Sequence, residues 1–366
     1  MQQQKVEKLR KTLKEKGPDG FLVSNFYNIL YLSGFKTLVD NEREAWMLVT
    51  IRNAYLFSDS RYVSEIASSP AKRGPRNDIS IKLITPEKGL IKHLKEIVAE
   101  EKIKRLGIEG DDLKINEFNR LRRELINVEI VPTEKLIIKQ RKIKDEDEIE
   151  KIRKACQITD ECLAEIVKTI KVGQTEKEIA FKIELWLKEK SYDLAFYPII
   201  AIDENSSLPH YNTRAGNNKK VKNSSVVLID FGAKYRSYLS DITRMVFVGK
   251  PNNEMINAYN NLLTAQTKTI EKCNNKMVCK NLDSFCRQEL NYPHSTGHGV
   301  GLEIHEYPKI SLISNDVLSP NQIVTIEPGV YFENKWGMRV EDTVLIKEKG
   351  VEILTKFSKQ PLIISN

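Results

Sequence analysis

Histidine is scarce in this chain, five in 366 residues, and three of the five (His294, His298 and His305) fall inside a window of twelve positions. His210 lies upstream in the same half of the chain. The stretch holding the cluster, YPHSTGHGVGLEIHEYPKISLISNDVLSPNQIVTIEPGVYFENKWGMRVEDTVLI from Tyr292, also carries Glu327 and Glu341 within apolar, β-branched runs. Earlier, VVLIDFGAKYRSYLSDITRMVFVG places Asp230 in the apolar run Val226 to Phe231 and Asp241 ahead of a second such run. A carboxylate in an otherwise apolar strand is costly to bury unless something pairs with it, and a metal ion is a strong candidate for that partner. Four strand acids beside a histidine cluster therefore predict one cationic centre. Two divalent ions held about 3.5–4 Å apart need bridging carboxylates, because neutral ligands leave their repulsion uncompensated. Either Asp241 with Glu341 or Asp230 with Glu341 can serve as that bridge.

These residues need strands that converge. Alternation resumes from Tyr238 to Val248, so the spacing predicts a β-hairpin with Gly232 to Ser237 as its connection, and Asp241 on the face of Leu239, Thr243 and Met245. Helices are expected over Glu146–Lys171, from a Thr175/Glu178 capping box to Lys190, over Glu254–Lys272 and over Leu282–Leu290, each to pack on the strands that follow. The first part of the chain alternates short strand patterns (Phe21–Val23, Trp46–Val49, Ala54–Phe57, Ile79–Ile84, Leu106–Glu109, Val128–Val131) with helical ones (residues 2–16, Lys88–Glu101, Asn116–Ile126). That is the pattern of a small α/β domain, 1–132. Thr133 to Lys144 has little apolar periodicity and reads as a linker, 133–144, ahead of a catalytic domain, 145–366, for which composition and pattern give only α+β. His93, alone in a helix of the first domain, reads as a surface or packing histidine without a role in chemistry.

The chain resembles the pita-bread (creatinase/aminopeptidase-like) metallopeptidases, in the proline-directed branch that holds aminopeptidase P and prolidase. The resemblance rests on LIDFGA at Asp230, SDITR at Asp241, HSTGHGVG at His298, TIEPGVY at Glu327 and RVEDTVL at Glu341, five ligand types in the family's order. It extends to LPH at His210, to HE at His305 and, in the first domain, to NFYNILYLSGF. It implies two divalent metals, with Asp230 chelating one, Asp241 and Glu341 bridging, and His298 and Glu327 completing the other. Oxygen-rich coordination favours manganese, with cobalt, iron or zinc as the other choices. The resemblance further implies that Glu327 shuttles a proton, that His305 donates to the developing oxyanion and that His210 contacts the substrate. His294 and Arg339 are expected beside the ligands, and Tyr331 and Phe196 as walls of a pocket for a proline ring. The segment RQELNYPH before His294 is shorter than its family counterpart, which bears on the pocket wall and not on the ligands.

Paired ions that acidify a water and polarise a carbonyl predict metal-assisted amide hydrolysis. The expected substrate is a peptide with proline in second position, and a homodimer is implied by the resemblance alone. A methionine-type aminopeptidase of the same fold would not need the first domain, and a non-catalytic binding protein on this scaffold would be expected to lack some ligands. The net charge of +8 comes from lysines interleaved with acids, without a basic aromatic stripe, and predicts no nucleic-acid partner. With no long apolar run and no signal-peptide pattern at its start, the chain reads as a soluble cytoplasmic protein. Five cysteines, odd in number and without CxxC spacing, read as reduced structural thiols.

Overall fold

The computed structural model describes residues 2–38, 42–62 and 79–364. The chain divides into two compact units, Met1–Arg141 and Lys142–Asn366.

In the first unit a six-stranded sheet runs, in spatial order, Ile79–Leu83, Ala54–Ser58, Ala45–Thr50, Gly20–Val23, Arg105–Glu109 and Glu129–Thr133. Ala45–Thr50 is antiparallel to both its neighbours and the remaining pairs are parallel. Gly20–Val23 is buried throughout, as a strand covered on both faces should be. The apolar run after it, left unassigned by pattern, is a helix, Phe26–Ser33. Asn25 caps its start, and Gly34 at φ 75° ends it in a conformation that glycine adopts without cost. His93 is buried with Nε2 2.8 Å from the Leu83 carbonyl, a packing role. The segment read as a linker carries a helix of its own, Leu136–Arg141, in which Ile137 is buried and Arg141 donates to Asn28 Oδ1 at 2.9 Å. Three apolar residues were too short a run to reveal it.

The second unit repeats one scheme twice. Helices Glu146–Val167 and Glu176–Glu189 bury Ile158, Leu163, Ile179 and Ile183 against Ile229, Phe231 and Ile242 of a four-stranded sheet, ordered Leu362–Ile364, Ile242–Val248, Val226–Phe231, Ile199–Ile202. Helices Asn253–Lys272 and Cys279–Arg287 bury Ile270 and Leu282 against Val324, Ile326 and Val344 of a five-stranded sheet, ordered Glu306–Ile310, Gly297–Gly299, Ile323–Ile326, Asp342–Ile346, Val351–Ile353. The Thr175 capping box forms, with the Glu178 N–H donated to Thr175 Oγ1 at 3.2 Å and the Thr175 N–H returned to Glu178 at 2.7 Å. The halves meet where Thr243 bridges Glu341, the Glu341 N–H donating to the Thr243 carbonyl at 3.2 Å. Two acid-bearing segments from different sheets are thus fixed side by side.

The expected hairpin forms in register but not in its connection. Thr243 pairs with Asp230 and Ile242 with Phe231, yet the chain between them folds into a smaller hairpin, Ala233–Tyr235 with Tyr238–Leu239, turning at Arg236 and Ser237 with φ 48° and 73°. The crossing needs glycine: a Cβ on Gly232 would lie 1.8 Å from the Ser240 carbonyl. All five cysteines are buried free thiols. Among the described residues no helix is long and apolar enough to cross a membrane.

Candidate metal centre

His298 sits on the three-residue strand Gly297–Gly299, whose narrowness lets the backbone close on its neighbour. A Cβ on Gly297 would meet the Thr325 carbonyl at 1.9 Å. That approach lets the His298 N–H donate to Thr325 Oγ1 at 3.0 Å, and the same hydroxyl donates to Glu327 Oε1 at 3.0 Å. The imidazole Nε2 then faces acids, 3.2 Å from Glu327 Oε1 and 3.7 Å from Asp241 Oδ2. Asp241, His298 and Glu341 each bring one candidate ligand atom within 4.8 Å of the others.

Asp230 and Glu341 are steadied on one oxygen each. Arg339 pairs with Asp230 Oδ2, and Thr243 Oγ1 donates to Glu341 Oε2 at 2.6 Å while accepting from Arg339 Nε at 3.1 Å. The other oxygens, Asp230 Oδ1 and Glu341 Oε1, together with Asp241 Oδ1, are buried without a hydrogen-bond partner. A buried carboxylate oxygen with no donor is expensive. Three of them beside an imidazole nitrogen fit a divalent cation, because oxygen-rich sets with one or two imidazoles suit hard ions.

The protonation balance agrees. Burial, followed by repulsion from neighbouring carboxylates, pushes Asp241 and Glu341 well above the usual carboxylate range, and burial raises Asp230 against the pull of Arg339. Glu327 goes the other way. Burial would raise it, but its bond to His298 and the charges of His298, His294 and Arg339 together hold it at about 2. His298 is raised in turn: desolvation alone would lower it, but the hydrogen bond and charge of Glu327, the Gly299 carbonyl and the charge of Asp230 together outweigh that. A bound cation would offset the charge that burial and mutual repulsion oppose at these acids.

The cluster opens into a cavity of about 400 Å³ whose wall includes His210, His294, His305, Arg339 and Phe196. The His298 and His305 rings meet edge to face at 4.5 Å between centroids. Desolvation and the charge of His298 hold His305 down to about 4, which makes it a neutral imidazole near pH 7.

The chain matches the description of metallopeptidase family M24 over residues 150–348, and that of the creatinase/prolidase N-terminal domain over residues 5–143. The chain belongs to metallopeptidase family M24. It is 34% identical to a Xaa-Pro dipeptidase of Pyrococcus horikoshii over 365 residues, 98% of each chain. Among solved structures it resembles a Xaa-Pro dipeptidase from Bacillus anthracis, with TM-score 0.89, 31% identity and full coverage of both chains. It also resembles an X-Pro aminopeptidase from Thermotoga maritima, with TM-score 0.85 and 32% identity over 97% of this chain and 100% of the other. The second unit thus has the pita-bread fold, and the protein is a metallo-exopeptidase whose cofactors are divalent metal ions.

Within this M24 peptidase, ten of the eleven site residues expected from sequence line the cavity. Tyr331 is the exception. Its hydroxyl is 2.8 Å from His294 Nε2 and accepts from Arg339 at 3.0 Å, so it braces two wall residues from behind. An aromatic in a strand pattern gives no sign of which side of the wall it takes. The short segment before His294 is tied down: Arg287 donates to the Tyr292 carbonyl at 2.6 Å and, through Nε, to Asp283 at 2.7 Å. Sequence reasoning gave no role to Thr243 or Thr325, whose hydroxyls donate to Glu341 and Glu327. Thr243 follows Asp241 by two and Thr325 precedes Glu327 by two, a spacing that puts them on the ligand face of their strands and could have singled them out.

Proposed function

We propose that this protein is a dinuclear-metal exopeptidase that hydrolyses the amide bond between an amino-terminal residue and a following proline. The observation that carries this reading is the convergence of Asp230, Asp241, His298, Glu327 and Glu341, three of them with an undonated buried oxygen, at the floor of one cavity. The names of its relatives, dipeptidase in two genera and aminopeptidase in a third, supply the substrate class. Those five side chains would hold the pair of ions, manganese first by donor hardness, then cobalt, iron or zinc. Such a pair, when bound, supplies an acidified water and a polarised substrate carbonyl.

The remaining steps belong to the chain. Glu327, the most acidic carboxylate of the group, takes a proton at its carboxylate and passes it to the leaving nitrogen. His305, neutral near pH 7, donates an N–H to the oxygen on which charge develops. His210 contacts the substrate from the opposite loop. Phe196 with Ile199 and Ile304 offers an apolar wall that suits a pyrrolidine ring. We place the protein in the cytoplasm as a homodimer.

Hydrolysis of Ala-Pro, Ala-Pro-Gly and Met-Ala-Ser by chelated and manganese-restored protein tests this. Manganese-dependent release of alanine supports the reading, and equal turnover of the first two makes the enzyme an aminopeptidase and not a strict dipeptidase. Cleavage confined to Met-Ala-Ser, or inactivity with metal bound, overturns it.

A further inference from the structure

Glu176 opens the helix Glu176–Glu189 and has no accessible surface, although an acid in a first helical turn ordinarily faces water and favours the positive end of the helix dipole. Its carboxylate instead gathers four donors. Oε1 accepts from the Ile202 N–H and from Asn205 Nδ2, both at 2.8 Å, and Oε2 accepts from Tyr211 Oη at 2.8 Å and the Lys219 N–H at 3.0 Å. Those donors span residues 202 to 219, most of the excursion between the strands Ile199–Ile202 and Val226–Phe231 that carries Pro209 and His210 to the cavity. The first strand also pairs Ile199 with Asp230.

Other ties complete the frame. Thr213 Oγ1 accepts from the Ile200 N–H at 2.9 Å, and Arg339 donates to the Pro209 carbonyl at 3.0 Å. Gly216 admits the Tyr211 hydroxyl only because it lacks a Cβ, which would lie 1.9 Å away. His210 is exposed, and among the described residues its ring has no hydrogen-bond partner, so the loop backbone is what fixes where the residue sits. A charged acceptor bonded four times is stronger than neutral pairs and rigidifies what it joins.

We propose that Glu176 is a positioning residue for the peptidase reaction, a buried hub that holds the 203–220 loop so that His210 meets the substrate. This rests on the part given to His210 in the proposed function. The side chain touches no reacting atom; it acts by fixing geometry, and small misplacements of a reacting group cost up to about a hundredfold in rate.

The test is a double-mutant cycle with Glu176→Gln, which keeps the shape but mismatches two of the four donors, and Tyr211→Phe as a milder second variant. Manganese content and Ala-Pro kinetics are measured alone and in a His210→Asn background, and the His210 ring resonance is followed by NMR in the metal-free protein. We expect kcat to fall about tenfold in Glu176→Gln, less in Tyr211→Phe, and by less than about twofold once His210 is replaced, since only coupled sites depart from additivity. Metal content stays unchanged, and the His210 resonance shifts or broadens. Equal losses in both backgrounds, or an unmoved His210 resonance, overturn the proposal. The resonance reports even if the wild-type protein fails to cleave Ala-Pro, so failure of the functional reading is told apart from failure of this one.

Discussion

Asp241 and Glu341 illustrate a residue pair built for a partner the polypeptide does not supply. Both are raised by burial and by mutual repulsion with the neighbouring acids, and each leaves one buried oxygen undonated. A carboxylate whose folded value is raised contributes stability that is full below its unfolded value, near 4, and is lost as pH rises through the folded value. The metal-free protein should therefore lose melting temperature between pH 5 and pH 8. Asp241→Asn removes one of the repelling charges, so metal-free Asp241→Asn should melt above metal-free wild type at pH 8, by about 2–6 °C at roughly 2–4 °C per kcal/mol, with the gap shrinking toward pH 5. Saturating manganese should reverse the order. Scanning calorimetry in chelator and in manganese at the two pH values checks it; a metal-free variant less stable than wild type at pH 8 would remove the argument from repulsion.

At the scale of elements, the strands under those acids are clamped by a second buried pair. Arg244 and Asp342 are both essentially inaccessible, bonded at 2.7 Å, and Arg244 also donates to the Thr243 carbonyl at 3.0 Å and to the Glu341 carbonyl. Burial raises Asp342, but Arg244 and Lys359 together take it below the usual range, so its stabilisation is present above the unfolded value and fades as pH falls through the folded one. Arg244→Met removes one of the two cations paired with Asp342 and leaves only Lys359, at 2.7 Å, and breaking a buried pair costs about 3–5 kcal/mol. The variant should melt about 10 °C lower near pH 7, lose much of that deficit near pH 3, and bind manganese more weakly because the Asp241 and Glu341 strands loosen together. Thermal melts across pH with a metal titration check it, and a melting point within 2 °C of wild type at pH 7 would show that the clamp contributes little. Such cross-strand devices explain what the sequence concealed. Scarce histidines and acids in apolar runs announced the ligands, and capping at Thr175 announced a helix. Glu176, one position later, reads as an ordinary first-turn acid, because its four donors come from residues 26 to 43 positions away. The hairpin at Ala233–Leu239 was hidden for a related reason, since its turn is forced by the Gly232–Ser240 crossing and not by a local turn signal.

At the scale of the molecule, each unit has its own core, and the five residues assigned to the ions, from Asp230 to Glu341, all lie in the Lys142–Asn366 unit. Ligand binding stabilises only the state that contains the site, by RT ln(1 + [L]/Kd), about 4 kcal/mol at a thousandfold excess over Kd. Because separate cores open separately, chelation should act on one unit. Hydrogen exchange in peptides spanning 226–248, 297–310 and 323–346 should accelerate by about tenfold or more when metal is removed, whereas the sheet strands Gly20–Val23, Ala45–Thr50 and Arg105–Glu109 keep their metal-bound rates. Exchange followed by mass spectrometry, with and without manganese, reads both sets in one experiment. A uniform acceleration across both sets would mean that the two units open as one cooperative body, and the division of labour drawn from their separate cores would then be wrong.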